Sequence, residues 1–215
     1  MVDSARGSAS LPGGFLPSAA PRPIDARTAA ATFLGAWLAA QIVASLIVVA
    51  IADRSTDPSF GVTALALVGV WTTYLVGMWL ASQRAGSGSM VADYGLRFRP
   101  IDVVGLGIGV LCSLVLIRIV YLPLEALWPA TFSEAKLNEN AQDLVDSAGG
   151  STWTVVAVVV VGAPLMEELF YRGLLQRSLV SRYIDWLAVV GVAALFALVH
   201  FRPIEIPGLF VIGLV

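Results

Sequence analysis

The chain has 215 residues, of which 58% are hydrophobic and 13% charged, with a formal net charge of -2. An ordinary soluble domain carries about a quarter charged residues, so this composition excludes that class, and the missing basic excess argues against a nucleic-acid partner. The single cysteine, Cys112, permits neither an intrachain disulfide nor a cysteine-based metal site.

A hydrocarbon core about 30 Å thick takes roughly 20 apolar residues at 1.5 Å rise each. Residues 1–28 are rich in Ser, Ala, Gly and Pro, carry Arg6, Arg22 and Arg27, and read as a disordered cytoplasmic tail. The apolar run 29–51 starts too late and is too long for a signal peptide, so it reads as the first membrane helix. A second runs over 61–81 and a third over 103–122, where Pro123 predicts an end or a kink. Gly105 and Gly109 form a GxxxG pattern that would suit close helix packing, though chance explains it as well in a Gly-rich helix. Residues 82–102 form a polar connector. The long loop 124–152 contains a short helical pattern, Leu137, Ala141, Leu144 and Val145, after a cap at Ser133 and before Gly149 and Gly150. A helix at the membrane surface fits that pattern.

A fourth apolar run starts at Trp153 and continues past Glu167 to about Arg182. A fifth covers 186–201, and 206–215 opens a sixth, in which ten helical residues span only about 15 Å. A membrane helix seldom stops half-way, so the sequence is expected to be truncated at its C-terminal end. The fold class predicted is therefore all-α: a polytopic transmembrane bundle with five full spans and the start of a sixth, in a membrane domain covering 29–215. Trp128, Trp153 and Trp186 fall near the expected boundaries, as an aromatic belt would.

Arginine and lysine set the orientation. The tail, the second connector (Arg84, Arg97, Arg99) and the turn near Arg182 are basic, whereas the long loop has only Lys136 against five acids. The N-terminus is expected inside. The absence of organelle signals and the Ala/Val/Arg-rich composition point to a bacterial plasma membrane.

Five polar residues interrupt apolar sequence: Glu167, Glu168, Arg172, His200 and Arg202. Each charge in a membrane helix costs roughly 2.5–3.5 kcal/mol on insertion scales, so such residues pair, line a wet cavity or work. Glu168 and Arg172 stand i, i+4, acid first, and can pair along one helix. Phe196 and His200 share the same spacing on the fifth helix. The midpoint between positions 167 and 200 falls at Tyr183 and Ile184, in the expected turn. In a near-symmetric hairpin Glu167 and His200 then lie level, each about 20 Å from the turn, in the cytoplasmic half of the membrane. A carboxylate facing an imidazole can activate water. The alternatives are a structural Glu168–Arg172 tie and a His200 that only bonds between helices.

The string Glu167-Glu168-Leu169-Phe170-Tyr171-Arg172 resembles the EExxxR motif of the CPBP intramembrane proteases, and Phe196-Ala197-Leu198-Val199-His200 resembles their FxxxH motif. That family includes the CAAX prenyl endopeptidases and the bacterial ABI-type proteins. Ala163-Pro164, Gly173-Leu174-Leu175 and Tyr94-Gly95-Leu96 also fit, so the resemblance covers about 90–215. It implies an endopeptidase that hydrolyses a peptide bond of a hydrophobic or membrane-anchored substrate. Glu167 would be the general base and His200 its partner on the water. Glu168 and Arg172 would hold the site in shape, with Phe196 packed beside His200. The family's later His and Asn, read as oxyanion donors, have no counterpart in a chain with one His. A zinc site wants three protein ligands, and no H-E-x-x-H is present, so a metal-independent mechanism without cofactor is expected, with a divalent metal such as zinc as the alternative. Membrane lipid is the expected surrounding. A non-catalytic scaffold or regulator of the same fold is the competing function.

Overall fold

The computed structural model describes residues 24–51, 59–97, 99–149 and 152–215. Among these residues every regular element is a helix. They are α1 (Ala26–Ile51), α2 (Phe60–Ala85), the short α3 (Met90–Asp93), α4 (Asp102–Leu127), α5 (Glu134–Ser147), α6 (Trp153–Val180), α7 (Asp185–Leu198) and α8 (Ile206–Leu214).

Four of them, α1, α2, α4 and α6, are long and apolar enough to cross a membrane. The expected fifth full span is shorter than the sequence suggested. Helix α7 has 14 residues, about 21 Å at 1.5 Å each. It stops at Leu198 because the following segment turns: Phe201 takes a positive φ of 52°, and Pro203 disfavours helical backbone at Arg202. Pro123 neither ends nor replaces a helix; α4 runs through it to Leu127. A proline costs one backbone bond, and a long apolar helix tolerates that loss.

The expected tail lies outside the described residues up to position 23, but its last residues are ordered. Ile24 is buried, and Asp25 accepts hydrogen bonds from the backbone N–H of Arg27 (3.0 Å) and Thr28 (3.1 Å). That cap starts α1 at Ala26, a turn ahead of the hydropathy boundary. Ser133 similarly accepts from the N–H of Lys136 at 3.4 Å at the head of α5, and Gly149, at φ 60°, follows its end.

Helices α1 and α2 pack along their length, the second half of α6 packs on α1, α2 and α7, and α8 joins α7 to α4. The centre is aromatic. Phe170 is fully buried, its ring 3.8 Å from Tyr74 in a parallel stack and 4.7 Å from Phe33. Small residues set the close approaches: a Cβ on Gly77 would meet that of Ala36 at 2.8 Å, and one on Gly213 would meet Ala193 at 2.9 Å. Gly105 and Gly109 have nothing within 4 Å, so the GxxxG pattern brings no described helix close.

The polar connector is a lock. Asp93 is buried and accepts from Ser82 Oγ at 2.5 Å and from the N–H of Ser87 at 2.9 Å. Tyr94 donates to the Met78 carbonyl at 2.6 Å. Gly95, at φ 69°, lies so close to the Arg177 guanidinium that a Cβ there would clash at 2.2 Å. The connector thereby ties the end of α2 to the end of α6.

Candidate active site

Helix α6 is irregular where the polar residues lie. Val156–Gly162 and Glu168–Gln176 are π-helical, separated by the α-helical Ala163–Glu167. Pro164, which has no N–H to give the preceding turn, sits between them. Wide turns of this kind recur at functional sites. Glu167 is the last residue of the α-helical stretch and Glu168 the first of the second wide one.

The α6–α7 hairpin turns at 181–184, where the symmetry of positions 167 and 200 put it. Glu167 Oε1 and His200 Nε2 stand 3.8 Å apart. The imidazole is held from its other side: Nδ1 lies 2.7 Å from the Phe196 carbonyl oxygen. A carbonyl only accepts, so Nδ1 carries the proton of that bond. In a neutral ring, Nε2 then presents a lone pair towards a carboxylate that also presents lone pairs. The gap is too long for a direct hydrogen bond. A water donating to both groups satisfies both.

Phe196 packs edge-on to His200 with ring centroids 4.9 Å apart, and Tyr171 packs edge-on to Phe196 at 5.2 Å. This train fixes the ring plane of His200. Glu168 turns away from Glu167 and pairs with Arg172 at 2.9 Å. Arg172 also donates to the carbonyls of Ile212 and Gly213 at 3.2 and 3.3 Å. The expected pair is therefore a triple tie joining α6 to α8. Arg202 is not brought to the other four; it pairs with Glu205 at 3.1 Å in the turn before α8.

Glu167 and His200 open into a cavity of about 310 Å³ between α1, α2, α6 and the end of α7. Its wall includes Trp37 and Gln41 from α1, and Trp71 and Tyr74 from α2. Sequence reasoning gave these helices no part in the site. Gln41, a lone amide in an apolar run, was the available signal; Tyr74 and the tryptophans carried none. Among the described residues, no three His, Cys, Asp or Glu side chains gather as a metal would need. The donors that meet are Glu167 and His200, and Glu168 is engaged by Arg172.

An all-helical membrane bundle with a carboxylate and an imidazole meeting in an intramembrane cavity is the class defined to this point. Residues 149–215 match the family model described as type II CAAX prenyl endopeptidase Rce1-like. The match is consistent with a CPBP-family protease and is narrower than the span of the motif resemblance. It opens at the head of α6 and contains Glu167, Glu168, Arg172, Phe196 and His200. Similarity to this protease family and the long apolar helices together make the chain an integral membrane protein of peptidase type. No curated protein and no solved structure matches it.

Proposed function

We propose that this protein is an intramembrane endopeptidase that cleaves a membrane-associated substrate with water activated by Glu167 and His200. One observation carries the reading. Two acceptor groups face each other at 3.8 Å in a cavity, one fixed by the Phe196 carbonyl, with no donor of the protein between them. A water there donates one proton towards Glu167 and one towards His200, and its oxygen lone pairs face the cavity. Glu167 takes a proton as the oxygen attacks the carbonyl carbon. The carbon–nitrogen bond then breaks, and the same proton passes to the leaving amine. The cavity wall, rich in tryptophan and aliphatic side chains, suits an apolar or lipid-anchored peptide. The mechanism requires no metal.

The test is proteolysis by the protein in lipid vesicles against a panel of membrane-anchored peptides. Wild type should cleave. Glu167→Gln and His200→Ala should each lose about 10²- to 10⁴-fold, the usual worth of a positioned acid–base group. Equal cleavage by the variants, or none by wild type, would overturn the reading. Activity unchanged by chelation and dialysis supports the metal-free route.

A further inference from the structure

Tyr74 and Tyr171 line the same cavity as Glu167 and His200. Their residues are 6% and 5% exposed, so their rings are packed away. Tyr74 lies flat on Phe170, and Tyr171 stands edge-on to Phe33, Phe170 and Phe196. Buried tyrosines normally bond their hydroxyls. Tyr94 and Tyr121 obey that rule, donating to the carbonyls of Met78 at 2.6 Å and Ile204 at 2.7 Å. Among the described residues, neither the Tyr74 nor the Tyr171 hydroxyl has such a partner. Nor is either oxygen sealed in the protein, where the only orphaned buried side-chain oxygen is Gln176 Oε1. Each hydroxyl therefore reaches accessible space, and the accessible space beside both rings is the cavity. Two O–H donors from two helices, α2 and α6, thus converge on the chamber that holds the carboxylate and the imidazole.

Resting on the hydrolytic reading above, we propose that the Tyr74 and Tyr171 hydroxyls donate hydrogen bonds to the oxygen of the scissile carbonyl and to the oxyanion formed from it. The chemistry is complementary. Glu167 and His200 act as acceptors for the water's protons, so neither offers a donor to the carbonyl. When water oxygen bonds to the carbonyl carbon, the π pair moves onto the carbonyl oxygen and the negative charge appears there. The two tyrosines keep their protons and hold that charge by hydrogen bonding. When the carbon–nitrogen bond breaks, the pair returns and the leaving nitrogen takes its proton from Glu167. Donors aimed where charge develops strengthen as the reaction proceeds. The rings are held by aromatic packing before substrate arrives, so little ordering remains to be done. The donors' spacing from the water also selects the substrate: an extended peptide group offers one oxygen to two hydroxyls, whereas an apolar chain offers none.

The experiment measures kcat and KM for Tyr74→Phe, Tyr171→Phe and the double variant, in lipid, on a peptide the wild type cleaves. Phenylalanine keeps each ring and its packing, and a thermal melt checks folding. Tyr183→Phe, whose ring is exposed in the α6–α7 turn, is the control. The expected result is a fall in kcat of about 10-fold or more for each single variant, within the 10²- to 10³-fold cost of losing one such donor. KM should change little, and the double variant should be slower than either. Binding of a peptide phosphonate, which mimics the tetrahedral oxyanion, should weaken with kcat. Single variants within twofold of wild type, alongside an inactive Glu167→Gln, would overturn the tyrosine assignment and leave the hydrolytic reading standing. An active Glu167→Gln would overturn both. Each single variant tests its own hydroxyl, so loss of folding in one leaves the other decisive.

Discussion

His200 is held by both ring nitrogens: Nδ1 lies 2.7 Å from the Phe196 carbonyl and Nε2 lies 3.8 Å from Glu167 Oε1. The backbone bond, four residues back along α7, fixes which nitrogen carries the proton. Nε2 is thereby left as the acceptor on the cavity side. The chain has one histidine, so nitrogen-15 spectra of the labelled protein read this residue without assignment. The neutral form should show the Nδ1–H tautomer. A spectrum of the Nε2–H tautomer would overturn the orientation and, with it, the bridging water.

Phe170 joins three helices, stacked on Tyr74 of α2 and Phe33 of α1 from its place in α6. It is also adjacent to Tyr171, whose ring supports Phe196 and His200. Phe170→Ala should cost roughly 3–5 kcal/mol, the range for a large aromatic removed from a packed core. Urea or thermal unfolding in detergent measures it. A loss under 1 kcal/mol would mean that the aromatic centre collapses around the void.

Arg172 makes one ion pair and two bonds to carbonyls from one guanidinium. A planar fork suits that task and an ammonium does not. Arg172→Ala should lose roughly 1.5–3 kcal/mol of stability, as expected for hydrogen bonds to a charged group. Arg172→Lys should recover only part. Identical melting temperatures for wild type and both variants would remove the structural role.

Asp93 lies in the connector, outside the long apolar helices. Burial pushes its carboxyl up, but hydrogen bonds from Ser82 and Ser87, together with the Arg177 charge, outweigh that and hold it below its ordinary value of 3.8. A depressed carboxyl stabilises the fold above its unfolded value and loses that contribution as pH falls through the folded one. The connector lock should therefore be intact at neutral pH and weaken below about pH 3.8. Asp93→Asn should lower neutral-pH stability and flatten the acid limb of the melting curve. An unchanged acid limb would show that another group governs it.

Four long spans, the turn at 181–184 and the facing of Glu167 and His200 were legible in sequence, because hydropathy and chain symmetry are local or pairwise quantities. The i, i+4 pairing of Glu168 with Arg172 was legible for the same reason, since one helix carries both. The end of α7 at Leu198 was not: the apolar run continues to Phe201, and hydropathy does not register a backbone turn. The continuation of α4 through Pro123 escaped because the proline's cost is offset by a long helix on both sides.

The sequence by itself determined that this chain is a helical membrane protein with acids and one histidine in apolar helices, since composition and insertion cost depend only on residue type and order. Only the tertiary structure decided that α1 and α2 wall the cavity and that Tyr74 and Tyr171 share it with Glu167 and His200. It also turned Arg172 towards the carbonyls of α8. Which faces meet depends on where small residues such as Gly77 and Ala36 let backbones approach and on how far the wide turns of α6 rotate its side chains. Those are properties of packing between segments far apart in the chain.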